Sequence, residues 1–219
     1  NQGFTDWVGR EGVPTEMSVS EEWFRFVNSV AENVTKVYPD FILTSNGYAN
    51  RTLPPEGVKL HPNLGVMCAF IWADTTKPIT SPRSWMGQVV GADLKRWREL
   101  CPRVFLYEYN ATMLVTALTP VPQMRKIAAN YSLFKKWGLI GFFNETSQPY
   151  MQDGIATRYV RANLMWNPDV NLQEILDDFY KSWYGPAAKP AAAVWTAIED
   201  ALLNSPLLGH EDRILPFVY

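Results

Sequence analysis

The sequence predicts an α/β fold, namely the C-terminal half of a (β/α)8 barrel of the TIM type followed by a helical module. Short continuous apolar runs alternate with segments of helical periodicity, acids or aromatics follow those runs, and the sequence after residue 154 is helical throughout. We place the barrel part at residues 1–150 and the helical module at residues 151–219. An open doubly wound sheet remains the alternative.

The first helix is predicted to begin at a capping box. Ser18 is followed three residues later by Glu21, and apolar residues then recur at helical spacing over about 20 residues. Pro39 and Asp40 end this helix. The apolar run at residues 41–45 is typical of a strand buried in a parallel sheet.

The same strand and helix pattern then repeats along the chain. The predicted strands are 65–72, 104–109 and 139–144, the helices between them are 92–100 and 122–137 with Gly138 as a cap, and the final helices are 155–166, 171–183 and 190–203. Four strands in alternation with helices favour a parallel sheet with helical crossovers.

Composition excludes several classes of partner. The chain has 219 residues, of which 47% are hydrophobic, so it can form a core. A net charge of -2 gives no basic surface for nucleic acid, and no apolar run reaches the roughly 20 residues that span a bilayer. Cys68 and Cys101 lack zinc-site spacing, although one disulfide is possible. We expect no metal and no cofactor.

The opening residues carry no signal-like segment and begin in loop-like sequence. We therefore expect the chain to be a piece of a longer protein, whose remaining N-terminal part would be a partner of the barrel half.

Carboxylates are the main candidates for acid and base chemistry, because the chain has only two His residues. Glu108 and Glu145 end two consecutive apolar runs, and neighbouring parallel strands lie about 4.8 Å apart. Alternation puts Glu108 in the row of Val104 and Leu106, and Glu145 in the row of Gly141 and Phe143. We expect both acids to face one pocket.

Two such acids can divide the work of cleaving a glycosidic bond. One protonates the leaving oxygen, and the other stabilises the positive charge that develops on the sugar. The alternative is that either acid forms a scaffold ion pair with Arg158 or Arg161. Asp6 is a third catalytic candidate, although an ordinary turn would also use an Asp in that position.

Further residues around the strand ends are candidates for substrate binding. Trp72 could stack on the apolar face of a sugar, although a place in the core is the alternative. The full set of candidates is Tyr48, Trp72, Asp74, Tyr107, Tyr109, Asn144 and Tyr150.

An ordered set of segments resembles a family of bacterial carbohydrate-active proteins that has been known as a domain of unknown function. The segments are Phe26-Val27-Asn28-Ser29-Val30-Ala31, Tyr38-Pro39-Asp40, Tyr48, Pro54-Pro55, Pro62-Asn63, Asp93-Leu94 with Trp97, Tyr107-Glu108-Tyr109, residues 138–145, Leu164-Met165-Trp166-Asn167-Pro168, Phe179-Tyr180 and Tyr184-Gly185-Pro186-Ala187-Ala188. They extend over almost the whole chain.

Some members of that family are grouped as glycoside hydrolase family 163, the retaining endo-β-N-acetylglucosaminidases that act on N-glycans. The resemblance implies a barrel enzyme that is secreted, periplasmic or on the bacterial cell surface. It also implies catalysis by carboxylates, here Glu145 and Glu108, with help from the acetamido group of the substrate. Two alternatives stay open: an α-glucuronidase-like or other exo-glycosidase, and a glycan-binding module without catalysis.

Overall fold

The computed structural model describes residues 18–70, 73–109, 121–145 and 154–205. Within these ranges the chain combines strands and helices before it ends in helices, so the predicted α/β class is confirmed, although the first two strands are joined by a loop with one short 3-10 turn and not by the α-helix that strict alternation requires. The elements in chain order are α1 (Ser20–Val37), β1 (Leu43–Gly47), β2 (Leu64–Ala69), α2 (Trp85–Leu100), β3 (Val104–Tyr109), α3 (Met124–Lys136), β4 (Gly141–Glu145), α4 (Ile155–Trp166), α5 (Leu172–Tyr184) and α6 (Ala188–Asn204).

The four strands form one parallel sheet in the order β1, β2, β3, β4. In its register Gly47 lies opposite Cys68, and Cys68 lies opposite Leu106. Strand β3 has the predicted bounds, whereas β1 begins two residues later than predicted. The amide of Asn63 donates to the carbonyl oxygens of Pro39 and Phe41, at 2.6 and 3.1 Å, and so holds this segment as a turn before the ladder begins.

The described residues fall into two compact units. The first consists of residues 18–70, 88–108 and 137–144, and includes most of the sheet. The second consists of residues 73–87, 109, 121–136, 145 and 154–205, and includes the last four helices. The predicted domain boundary near residue 150 lies outside the described residues.

Helices cover one face of the sheet in the first unit. The Nε1–H of Trp23 on α1 donates to Ser45 Oγ of β1 at 2.9 Å. Trp97 of α2 is 0% exposed and lies over Gly47, where an added Cβ would be 3.3 Å from its ring. Because strand residues alternate between faces, the covered face continues through Cys68 and Leu106, which are both buried.

The opposite face of the sheet carries a different row of residues. Thr44 lies across from Gly65, whose added Cβ would also meet the ring of Phe105 at 3.1 Å. The ring of Phe105 likewise limits the space above Gly141. Thr44 is exposed and Phe105 is half-buried, so this face is more open to solvent than the face under the helices.

The predicted capping box is wrong. Glu21 does not bond to the start of α1; its Oε1 accepts the backbone N–H of Gly57 at 3.0 Å. Ser18 Oγ accepts the N–H of Ser20 at 3.3 Å, and Val19 is the residue before the helix, without a side-chain cap. The two side chains therefore bind the segment before the helix and a distant loop, which local spacing did not predict.

The second unit is built from packed helices. The hydroxyl of Thr157 on α4 accepts the N–H of Gln123 just before α3, at 3.2 Å, and Arg161 Nη2 donates to Gln123 Oε1 at 3.1 Å. Asn171 caps α5 by accepting the N–H of Gln173 at 2.8 Å. Gly185, with φ of 52°, ends that helix as the sequence predicted, because a residue without Cβ adopts positive φ without strain.

Two further observations concern the cysteines and the length of the helices. Cys68 and Cys101 are both buried free thiols, so the possible disulfide is not formed. Within the described ranges, none of the helices has both the length and the apolar character required to cross a bilayer.

Asp93 of α2 lies in the interior of the first unit and gives a testable pH dependence. Burial raises its pKa to about 7, although the guanidinium of Arg96, 3.8 Å from Asp93 Oδ1, acts to lower it. The folded state therefore keeps a proton that the unfolded chain releases near pH 4. This contribution to stability is complete below that pH and is lost as the pH rises through about 7.

We expect Asp93→Asn to flatten the dependence of the unfolding free energy on pH between about 4 and 7, and to be more stable than the parent above pH 7, by at most about 4 kcal/mol. Urea unfolding at a series of pH values measures this. Asp40→Asn, which removes an exposed carboxylate, is the control. If the unfolding free energies of the parent and Asp93→Asn changed with pH in the same way, burial would not raise the pKa of Asp93.

Candidate functional site

The two predicted catalytic glutamates lie at the carboxyl ends of β3 and β4. Glu108 is the residue before the last of β3, and Glu145 is the last residue of β4. Both side chains are half-buried. Tyr107 and Tyr109 belong to the same stretch of β3 and are also half-buried. The carboxyl ends of parallel strands are where ligands bind in α/β sheets and barrels.

An aromatic pair lies on the open face of the sheet near these ends. The rings of Tyr107 and Phe143 stack with their centroids 4.9 Å apart and their planes at 22°. Phe143 is 51% exposed, so one ring of the pair is accessible to solvent. In β4 the row of Phe143 continues to Glu145, because side chains of a strand alternate between its faces.

The stack corrects the expected orientation of Glu108. Since Tyr107 shares a face with Phe143, its neighbour Glu108 belongs to the other face, in the row of Val104 and Leu106, which are buried under the helices. The expectation that Glu108 faces the same pocket as the row of Phe143 is therefore wrong. The alternation within each strand was predicted correctly, but the face of the sheet on which each row lies was not.

Asn144 connects the last two strands through its side chain. Its Nδ2 donates to the carbonyl oxygen of Glu108 at 3.1 Å. Its Oδ1 is buried and has no hydrogen-bond partner among the described residues. The side-chain amide of Asn144 therefore fixes the backbone at the end of β3, next to Tyr107.

Asp74 has a local structural role that the sequence did not predict. It is buried, and its Oδ1 accepts hydrogen bonds from the backbone N–H groups of Thr76 and Lys77, at 2.8 and 3.0 Å, and from the hydroxyl of Thr76 at 2.9 Å. An Asp side chain that accepts hydrogen bonds from the backbone N–H groups two and three residues later is common in turns. One oxygen of the predicted binding residue is thus already used by the protein.

Tyr48 follows β1 directly and is half-buried. Its carbonyl oxygen accepts the N–H of Arg51 at 3.1 Å, and the guanidinium of Arg51 lies 4.5 Å from the ring centre of Trp23. The remaining predicted residues, Asp6, Trp72 and Tyr150, lie outside the described residues. In the part of the chain that the structure describes, no group of three His, Cys, Asp or Glu side chains is arranged to bind a metal.

Sequence reasoning did not predict an ionic cluster around a buried carboxylate in the second unit. Glu199 of α6 is 3% exposed, and its two carboxylate oxygens accept the backbone N–H and the Nε–H of Arg125, each at 2.8 Å. Arg125 Nη1 also lies 2.8 Å from Asp200 Oδ1. Arg125 and Glu199 are 74 positions apart, so no local pattern in the sequence could have paired them.

Comparisons with known proteins show the family to which the chain belongs. No curated protein matches the chain, and no solved structure matches it either. A family model described as a domain of unknown function, DUF4838, matches residues 12–196, which is most of the chain. The resemblance to a family of this kind is therefore confirmed at that level, and the chain belongs to the DUF4838 family.

Proposed function

We propose that this chain carries part of the active site of a retaining glycoside hydrolase that acts on glycans containing N-acetylglucosamine. The observation that carries the proposal is the stacked pair of Tyr107 and Phe143 on the open face of the sheet, together with Glu145 at the end of the strand that contains Phe143. Exposed aromatic rings bind the apolar faces of sugars, and a carboxyl group within reach can transfer a proton to the glycosidic oxygen.

The sheet topology supports a barrel over a doubly wound sheet. A doubly wound sheet reverses its strand order at a switch point, whereas these four strands follow one another in sequence order. Right-handed crossovers in one direction put the helices on one face, as in a (β/α)8 barrel. In the first unit α1 and α2 do lie on the same face. We take the open face as the interior of the proposed barrel.

The chemistry follows from the residues on that open face. We assign Glu145 the role of general acid, which protonates the leaving oxygen as the glycosidic bond breaks. The acetamido oxygen of the substrate attacks the anomeric carbon, so a second protein nucleophile is not required. Glu108, on the face under the helices, is then a support for β3, and Asn144 fixes its carbonyl oxygen.

The remaining predicted residues have smaller roles in this proposal. Tyr109 follows the row of Tyr107 in β3 and would extend the sugar platform. Tyr48 lies just after the end of β1, and Asp74 follows β2 by a few residues. We link the protein to glycoside hydrolase family 163 through the ordered segments of its sequence, and we place it outside the bacterial cytoplasm, where complex glycans are found.

One observation favours a second candidate, a glycan-binding module without catalysis. In the second unit the rings of Phe179 and Trp183 stack at 13° with centroids 6.2 Å apart, and Tyr159 lies beside Phe179. Trp183 is 61% exposed. The exposed ring of Trp183, packed against the buried ring of Phe179, can hold a sugar without taking part in catalysis.

A comparison of Phe143→Ala with Phe41→Ala tests the sugar platform. Both remove an exposed Phe ring, but Phe41 precedes β1 and is not part of the stack. We expect Phe143→Ala to raise KM about tenfold for release of sugar from N-glycans and N-acetylglucosaminide reporters, and Phe41→Ala to leave KM within about twofold. The assay uses the 219-residue chain and the longest natural form of the protein that contains it.

Three outcomes separate the candidates. Hydrolysis that depends on Phe143 supports the enzyme. Binding of glycans without release, lost in Trp183→Ala, supports the binding module. Equal KM values for the two Phe variants would show that the stack does not contribute to sugar binding.

A further inference from the structure

We propose that two copies of this chain join their sheets edge to edge, so that β4 of each copy pairs with β1 of the other and eight strands close one barrel. Both edges belong to the first unit, which contains β1 and β4 as far as Asn144. The inference uses the barrel topology that the proposed function also uses, but it does not rest on the hydrolase activity.

The outer strands of the sheet are more exposed than is usual in a parallel sheet, whose strands are normally buried on both faces. All of β2 except Met67 is buried, whereas no residue of β4 and only Gly47 of β1 is buried. Thr44 and Asn46 of β1 are fully open to solvent among the described residues. This contrast indicates that both outer strands are covered in the native protein.

Neither outer strand carries the residues that protect a free edge. Natural edge strands often contain Lys or Pro, which prevent pairing with a further strand. Strands β1 and β4 contain no Lys, Arg or Pro. Instead, Phe41 and Ile42 just before β1 are 50% and 38% exposed, and Ile140 just before β4 is 53% exposed. Pairing at either edge would therefore bury apolar surface.

The backbone of β1 has hydrogen-bonding groups that point away from the sheet. In a parallel ladder, alternate residues of an edge strand direct their N–H and C=O groups to the neighbouring strand and away from it. The N–H of Leu43 donates to the carbonyl oxygen of Asn63 at 3.0 Å, on the side of β2. The N–H groups of Thr44 and Asn46 therefore point to the free edge, where a strand of another chain can accept them.

The number, order and direction of the strands indicate a second copy as the partner. The sheet has four of the eight strands of a closed barrel, parallel and in sequence order. A twofold axis along the barrel would put β4 of each copy beside β1 of the other, with every strand in the same direction. Helices α1 and α2 lie on one face of the sheet, which would be the outside. One contact, used twice, then closes both edges.

Analytical ultracentrifugation of the 219-residue chain tests the stoichiometry. We expect a dimer that dissociates on dilution. Thr44→Lys puts a charge into the closed interior but only into solvent in the single copy, so we expect it to weaken the dimer at least about tenfold. Thr196→Lys, the same change at an exposed position of α6, should leave the dimer unchanged. Circular dichroism checks the fold of each variant.

Amide exchange followed by NMR distinguishes pairing through these edges from association through another surface. The amide of Asn46 should exchange at least about tenfold more slowly in the dimeric parent than in monomeric Thr44→Lys, because the partner strand accepts its N–H. The amide of Leu43, which is bonded to Asn63, should be protected in both.

A chain that stays monomeric at all concentrations overturns the proposal and leaves these edges to another polypeptide, such as the expected N-terminal part. A dimer in which Asn46 exchanges as fast as in Thr44→Lys, or one that Thr196→Lys weakens equally, also overturns it. Should Thr44→Lys fail to fold, Ile42→Lys takes its place in both measurements. Neither measurement involves glycosidase activity, so this proposal and the proposed function can fail separately.

Discussion

Glu145→Gln is expected to reduce the proposed glycosidase activity by about 10²–10⁴-fold while the protein remains folded. The amide has the shape of the carboxyl group but cannot deliver a proton to the leaving oxygen. Glu145 is half-buried at the end of β4, so the substitution leaves the packed core of the sheet unchanged. Initial rates on N-glycans measure the loss, and Glu32→Gln, an exposed position on α1, is the matched control.

The choice of leaving group distinguishes a general acid from other roles of Glu145. A leaving group that is already acidic needs little protonation, so an activated aryl N-acetylglucosaminide should lose far less rate in Glu145→Gln than a natural glycan does. An equal loss on both substrates would instead indicate a role in charge stabilisation. Activity that is unchanged on natural glycans would contradict the assignment of Glu145.

Glu108→Gln tests independently on which face of the sheet Glu108 lies. If two carboxylates flanked the glycosidic bond, both substitutions would reduce the rate to a similar degree. Since Glu108 belongs to the row of Val104 and Leu106, we expect its substitution to reduce the rate by much less than that of Glu145. Rates of the two variants measured side by side decide this point.

Elements with strong local signals were predicted from the sequence. Apart from Glu108, strand β3 consists of apolar and aromatic residues that follow Pro102 and Arg103, and helix α4 is bounded by Gly154 and Asn167; both have the predicted limits. Helix α2 begins seven residues before the predicted position of 92. Its start contains Gly87, a poor helix former, and the prediction did not use Ser84, whose Oγ accepts the N–H of Gly87 at 3.0 Å.

The candidate site was predicted only in part, because it depends on contacts between distant residues. The sequence identified Tyr107 and Glu145 at strand ends, since apolar runs that stop at a polar residue are visible locally. It did not reveal that Tyr107, and not Glu108, shares a face with Phe143, because the relation of neighbouring strands is set by their register and packing. For the same reason it could not reveal the ion pair of Arg125 and Glu199, which come from separate helices.

Trp97→Ala is expected to destabilise the first unit by about 3–5 kcal/mol, the largest effect on stability that we predict. The indole is fully buried, its ring lies 5.2 Å from that of Phe24, and its Nε1–H donates to the carbonyl oxygen of Thr52 at 2.8 Å. Truncation leaves a large cavity between α1, α2 and the covered face of the sheet, and it leaves the carbonyl of Thr52 without its donor.

Trp166→Ala is the matched control, because it removes the same side chain from a position that is 92% exposed, and we expect a change within about 0.5 kcal/mol. Hydrogen exchange followed by mass spectrometry measures the effect where it should occur, as faster exchange of the amides of β2 and β3 in Trp97→Ala. Since the chain has two compact units, exchange is a better measure than one unfolding midpoint. Trp97→Phe keeps most of the packing but not the donor, so its amide exchange rates should lie between those of Trp97→Ala and Trp166→Ala. Unchanged exchange in Trp97→Ala would mean that α2 does not stabilise the sheet.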